Sequence, residues 1–223
     1  MISAVIFDMD GVLMDSGPAV IAGRRKLLAE FGVDFDSLPD PHGESHKGTS
    51  GKDFLALVKA QHPEVSIDPD KYVDMQWQHI YPELVAQNHE ADSDLVEFLD
   101  SIRSHQIPCA VATSGSSAGA MEKLRILGIA DYFDLVLSGS DVTKHKPDPE
   151  VYHLATERLH AEPAHCIVFE DSLPGVQAAV AAGCKVVGFT KYSNQKDIPG
   201  GTAKTINSWG KISLEQLESL INT

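Results

Sequence analysis

Short apolar runs alternate with amphipathic stretches along this chain. Ile2 to Phe7, Pro108 to Ala112, Leu135 to Leu137, Cys166 to Phe169 and Lys185 to Phe189 are rich in β-branched and aromatic residues. Their length suits strands buried on both faces of a parallel sheet. Helical patterns fall at residues 93–105, 116–127, 149–160 and 173–182; in the first, Leu95, Phe98, Leu99 and Ile102 recur three and four apart on one face. Repeated strand and helix predict the α/β class, a doubly wound parallel sheet with right-handed crossovers. The stretch Ile206 to Ile221 offers a possible edge strand and a closing helix with Leu214, Leu217, Leu220 and Ile221 apolar.

The first two runs are separated by roughly 90 residues, far more than a crossover helix needs, so something is inserted there. Residues 17–31, 51–61 and 69–87 carry helical patterns, interrupted by Gly32, by the run PDPHGES from residue 39 and by Pro63 and Pro69. The expected organisation is a core of residues 1–14 and 92–223 with a small all-helical cap of residues 15–91.

Composition narrows the function. The chain has 223 residues, 43% of them hydrophobic, enough to bury a full core. With 18 Lys and Arg against 32 Asp and Glu the net charge is -14, which repels a nucleic-acid backbone. No long apolar window or basic start predicts a membrane span or secretion signal, so a cytoplasmic protein without a membrane or nucleic-acid partner is expected, a monomer or weak homo-oligomer. Cys109, Cys166 and Cys184 lie in or beside apolar runs without zinc-ligand spacing and read as reduced core thiols.

In an open parallel sheet, ligands collect beyond the carboxyl ends of the strands. Here those ends are polar: Asp8 and Asp10 after the first run, Thr113-Ser114-Gly115-Ser116 after the second, Lys144-His145-Lys146-Pro147 following the third, Glu170-Asp171-Ser172 after the fourth. Each carboxylate contact at about 4 Å costs about 4 kcal/mol at an effective dielectric of about 20, so a cation must sit among them. Oxygen-only ligands of this kind suit Mg²⁺, which commonly travels with substrate phosphates.

The stretches FDMDGVLMDS, VATSGS, KHKPDP and FEDSLPG resemble, in order, the four signature motifs of the haloacid dehalogenase-like (HAD) superfamily of phosphohydrolases. The likeness spans the chain and is greatest to the helical-cap branch, which includes β-phosphoglucomutase and small sugar-phosphate phosphatases. It implies a Rossmann-like core and a Mg²⁺-dependent phosphatase acting on a small phosphorylated metabolite, a sugar or polyol phosphate, through an aspartyl phosphate. By the resemblance Asp8 is the nucleophile and Asp10 the acid and base. By the resemblance the Thr113 hydroxyl and Lys146 bind the phosphoryl group, and Ser114 and Gly115 beside Thr113 add hydroxyl and backbone N–H donors at a helix start, a suitable anion site. Asp8, the Asp10 main-chain carbonyl and Asp171 hold the metal, and Glu170 is an outer or water-mediated ligand. The cap stretch KGTSGK puts Lys47, Ser50 and Lys52 forward as contacts to the rest of the substrate.

The residue chemistry agrees. A carboxylate can attack a phosphoryl group whose charge is neutralised by Mg²⁺ and a lysine. A second carboxyl group can protonate the leaving alkoxide and then take a proton from water. Other readings weigh less. A calcium loop opening at Asp8 would need a glutamate where Ala19 stands. Ser172 and Pro174 can also be read as helix-capping residues. Lys144 reads as a solvated loop residue. His42 and His46 have metal spacing without a third ligand, and GTSGKD lacks the spacing of a P-loop. A phosphoglucomutase-type transferase is disfavoured: the histidine such mutases carry just beyond the leading motif is absent from Gly17 to Ile21, and Gly51 stands where their cap arginine falls. Dehalogenation is disfavoured by the presence of Asp10. A receiver-like phosphoacceptor module would carry its reactive Asp at the end of the third strand, where Leu137-Ser138-Gly139 stands.

Overall fold

The computed structural model describes residues 1–39, 49–87, 89–193 and 197–222. Six strands form one sheet: β1 (Ala4–Phe7), β2 (Cys109–Ala112), β3 (Leu135–Leu137), β4 (Cys166–Glu170), β5 (Lys185–Phe189) and β6 (Lys204–Ile206). Their order is β3-β2-β1-β4-β5-β6 and every neighbouring pair is parallel. The order reverses direction at β1, so the carboxyl ends of β1, β2 and β4 share the crevice where doubly wound sheets bind ligands. The helices are α1 (Gly17–Glu30), α2 (Gly51–Gln61), α3 (Pro69–Ala86), α4 (Ser93–Ser104), α5 (Ser117–Ile126), α6 (Glu150–Arg158), α7 (Leu173–Ala181) and α8 (Leu214–Ile221). None is long and apolar enough to cross a membrane.

The predicted parallel α/β sheet is present, with one more strand than the five apolar runs. The edge strand starts at Lys204, ahead of the stretch expected to hold it, and only Ile206 of its three residues is buried. A strand this short and half-polar gives no periodicity to read.

Two compact units make up the chain, residues 1–15 with 90–223, and residues 16–89. In the first, the period of two along β1 divides the core. Ala4 and Ile6 pack among Tyr152, Ala155, Val176 and Ala179 from α6 and α7. Phe7 faces the other way, stacked on Phe169 with ring centroids 5.1 Å apart and edge-on to Phe98 of α4 at 6.4 Å. Trp209 closes that face, 5.0 Å from Phe169 and 4.5 Å from Phe189. Aromatic pairs of this geometry contribute about 0.5–1.5 kcal/mol beyond the area they bury, so the strand that ends in Asp8 is gripped from both faces.

The second unit is helical, with Leu27, Leu28, Phe35, Phe54, Leu55, Val58 and Tyr72 at its centre. Arg24 is buried there: it donates to the Thr49 carbonyl at 2.7 Å and lies over the Phe54 ring at 4.2 Å.

Candidate active site

Sheet hydrogen bonding carries past β1, because the Asp8 N–H donates to the Phe169 carbonyl at 2.9 Å. The chain then turns sharply, with Leu13 and Met14 N–H groups both donating to Met9 O and the Gly11 N–H donating to Met14 O. Gly11 has φ +88°, and a Cβ there would stand 1.9 Å from Asp171 Oδ2. Only glycine meets both conditions. The glycine that follows the two leading carboxylates therefore makes room for Asp171, the second acid of the fourth motif.

The loop after β3 delivers Lys146. Glu150, at the start of α6, accepts the N–H groups of Thr143 and Lys144, each at 2.8 Å, and so anchors that loop. Lys144 points to solvent, where it pairs with Asp148 at 3.6 Å. Lys146 turns inward. Its Nζ donates to Asp8 Oδ1 at 2.6 Å, to Glu170 Oε1 at 2.6 Å and to the Ala112 carbonyl at 3.0 Å. All three donor positions of the ammonium are thus used.

Glu170 has no solvent exposure. Its Oε1 also accepts from the Tyr152 hydroxyl at 2.7 Å, while Oε2 accepts from the N–H groups of Asp171 and Ser172 and from the Ser172 hydroxyl, at 3.0, 3.2 and 3.1 Å. Five donors fill the carboxylate, and its work is to fix Lys146 on one side and the turn carrying Asp171 on the other. Ser172 caps α7 by accepting from Gly175 N. The capping role suggested for Ser172 and the acidic cluster are one structure.

After β2, the Thr113 N–H donates to Leu137 O at 3.0 Å, and Thr113 Oγ1 accepts from Gly115 N at 3.0 Å. The Gly115 N–H, expected among the anion donors, is engaged inside its own turn. Ser116 caps α5 through Gly119 N. Gly139 is required by closeness: a Cβ there would lie 2.7 Å from Ser114 O.

Burial dominates the electrostatics. It raises the Asp8 carboxyl to about 7, with Glu170 and Asp10 adding to the rise and Lys146 opposing it. Burial also raises Asp171 well above the ordinary range, reinforced by Glu170 and Asp8. For Lys146, burial acts against the charge, yet Asp8 and Glu170 outweigh it and hold the ammonium protonated. Burial and Glu170 push the Tyr152 hydroxyl well up, so it serves as a donor.

Two members of the site escaped the sequence reading. Tyr152 holds Glu170, and its ring lies 5.0 Å from Lys146 Nζ. Lys123 of α5, its side chain 8% exposed, donates to Asp10 Oδ1. A signal existed for the second, since Lys123 falls in the stripe Ala120, Leu124 and Leu127, where a buried apolar residue would be expected. Of the candidate cap residues, Ser50 caps α2 and shares its hydroxyl with Asp53, and Lys52 pairs with Asp70 in an exposed bridge. Lys47, His42 and His46 lie outside the described residues.

Among the described residues, no three His, Cys, Asp or Glu side chains form a metal cluster. The donor set still fits Mg²⁺, which takes one or two carboxylates and fills its other positions with carbonyls, water and phosphate. Asp8, Glu170 and Asp171 act on one another as like charges, and Lys146 is the ammonium that acts on all three. A divalent ion would balance that excess.

The comparisons agree with this chemistry. The chain is 33% identical over 220 residues to a phosphorylated carbohydrates phosphatase of Thermotoga maritima, covering 98% of this chain and 96% of the relative. It is 32% identical over 190 residues to a phosphoglycolate phosphatase of Thiobacillus denitrificans, 83% of this chain and 82% of the relative. The crystal structure of a β-phosphoglucomutase from Clostridium difficile superposes with a TM-score of 0.80 at 26% identity, covering all of this chain and 98% of the other. The family model for haloacid dehalogenase-like hydrolases matches residues 5–189, and the chain belongs to that family.

Proposed function

We propose that this protein hydrolyses the phosphate monoester of a small metabolite, a sugar or polyol phosphate, with Asp8 as nucleophile. The observation that carries the reading is the buried Asp8 carboxylate, fixed through Oδ1 by a lysine that Glu170 in turn holds. A nucleophile held this rigidly needs little reorganisation to reach an in-line attack.

In the first step the Asp8 carboxylate forms a bond to phosphorus as the bond to the leaving oxygen breaks, and the Asp10 carboxyl donates its proton to that oxygen. In the second, water attacks the aspartyl phosphate, Asp10 takes the water's proton, and inorganic phosphate departs with Asp8 restored. Lys146 and the Thr113 hydroxyl act on the phosphoryl oxygens. Asp8, the Asp10 main-chain carbonyl and Asp171 would hold Mg²⁺, which when bound would supply positive charge to the phosphoryl group.

The fold neighbour named as a mutase leaves phosphoryl transfer as a second reading, opposed by the absence of histidine between Gly17 and Ile21. One experiment tests both. Wild type and Asp8→Asn are assayed with Mg²⁺ for phosphate release from a panel of sugar, polyol and nucleotide monophosphates. Release by wild type and none by Asp8→Asn is expected. Activity surviving Asp8→Asn removes the proposed nucleophile, and isomerised sugar phosphate in place of free phosphate establishes the mutase.

A further inference from the structure

We infer that Lys123 is a positioning residue for the acid and base Asp10, an assignment that rests on the phosphatase reading above. Asp10 lies in the turn after β1, its side chain 34% exposed, where a carboxylate would ordinarily sample several rotamers. Lys123 stands on α5, 113 residues further along the chain, and is nearly as buried as the core side chains around it. Ordering and burying a lysine is costly in side-chain entropy and in desolvation. A solvated surface would impose neither cost, and the neighbours Ala120 and Leu124 show that this face of the helix is built for apolar residues. The lysine is there for its ammonium.

The geometry says what the ammonium does. With Oδ1 held by Lys123, Asp10 Oδ2 is directed over Gly115, 3.9 Å from where a Cβ would stand; Thr113 Oγ1 lies 3.4 Å from the same point. A Cβ at 115 would meet both oxygens at ordinary van der Waals distance, so the two groups border one small space. The oxygen that must exchange a proton therefore points to the side of the site where the phosphoryl-binding hydroxyl stands. The helix is itself registered against the sheet, since Ser116 caps it immediately after the Thr113 turn. One element thus carries both the turn that receives the phosphoryl group and the cation that aims the proton-transfer group. This places Lys123 outside direct contact with the reacting atoms. It acts through Asp10 in both steps: protonation of the leaving oxygen as the bond to phosphorus breaks, and removal of the water proton as the aspartyl phosphate is hydrolysed.

The test uses p-nitrophenyl phosphate, whose leaving group departs without a proton, beside an alkyl phosphate, whose leaving group requires one. For Lys123→Met on the alkyl phosphate, kcat is expected to fall about 10- to 100-fold, the scale of a misplaced catalytic group, with KM within about twofold. With p-nitrophenyl phosphate the variant should release a burst of about one nitrophenolate per enzyme and then turn over slowly, because Asp8 is still phosphorylated but hydrolysis has lost its aimed base. With the alkyl phosphate no burst should occur. Lys123→Arg should recover most of the rate, and Lys123→Met added to Asp10→Asn should cost nothing further. Unchanged kcat, a matching loss on both substrates with no burst, or an additive double variant would overturn the inference. A wild type that forms no phosphoenzyme at Asp8 would instead remove the phosphatase reading, independently of Lys123.

Discussion

Gly175 stands where a single methyl group would lie 1.9 Å from Glu170 Oε1. The first turn of α7 therefore leaves a hollow that the Glu170 carboxylate occupies, and the same oxygen carries Lys146 and the Tyr152 hydroxyl. Gly175→Ala, favourable for an ordinary helix by about 0.5–1 kcal/mol, should here displace the carboxylate and loosen Lys146. The expected result is a lower thermal midpoint and a kcat reduced at least about tenfold, read by thermal unfolding and steady-state kinetics. A stabilised and active variant would contradict the packing.

Tyr152→Phe removes one donor from a buried carboxylate and leaves the ring beside Lys146 in place. Hydrogen bonds to charged groups contribute about 1.5–3 kcal/mol, so unfolding in urea should show a stability loss of that size. Turnover should fall less than for Gly175→Ala, because Lys146 and three donors on Oε2 still hold Glu170.

The α/β sheet was legible because its strands are buried on both faces: CIVF and KVVGF read as apolar runs with nothing else to be. The rim residues were legible for the opposite reason, since carboxylates, a Thr-Ser-Gly turn and a lysine at strand ends conflict with burial unless chemistry requires them. What escaped notice is partnership over distance. Tyr152 looks like a core aromatic, and nothing local to α6 says that its hydroxyl reaches Glu170. Lys123 breaks an apolar stripe, yet its partner is 113 residues away. Gly11 follows Asp10 and Gly175 falls in the helical pattern of residues 173–182, and their closeness to Asp171 and Glu170 exists only once the strands are side by side.

Gly11→Ala tests the proposed metal site without replacing any of its proposed ligands. The φ of +88° and the 1.9 Å approach to Asp171 Oδ2 mean that the new methyl group strains the turn and pushes the carboxylate away. The Mg²⁺ concentration for half-maximal activity should rise about 10- to 100-fold, the range seen when the support of a metal ligand is disturbed. Phosphate release at saturating Mg²⁺ should recover in part. Unaltered Mg²⁺ dependence would separate Asp171 from the metal.

Proton linkage gives the last prediction. Asp8 keeps its proton to about 7 in the folded protein against an ordinary 3.8, and Asp171 is raised in the same direction. The folded state then binds more protons than the unfolded chain between those values, so stability from these groups is fully present below 3.8 and is lost as pH rises toward 7. Mg²⁺ bound by the proposed ligands would compete with the protons and favour the ionised pair. In chelator the thermal midpoint should carry this loss between pH 5 and pH 7.5, about the span of the raised carboxyl. Saturating Mg²⁺ should restore it, so the increment due to Mg²⁺ grows with pH. Other carboxylates shift the midpoint equally with and without metal, which makes the difference between the two curves the quantity to read. Asp171→Asn should flatten that difference. An increment that is the same at both pH values would mean that the ion binds without displacing protons from Asp8 and Asp171.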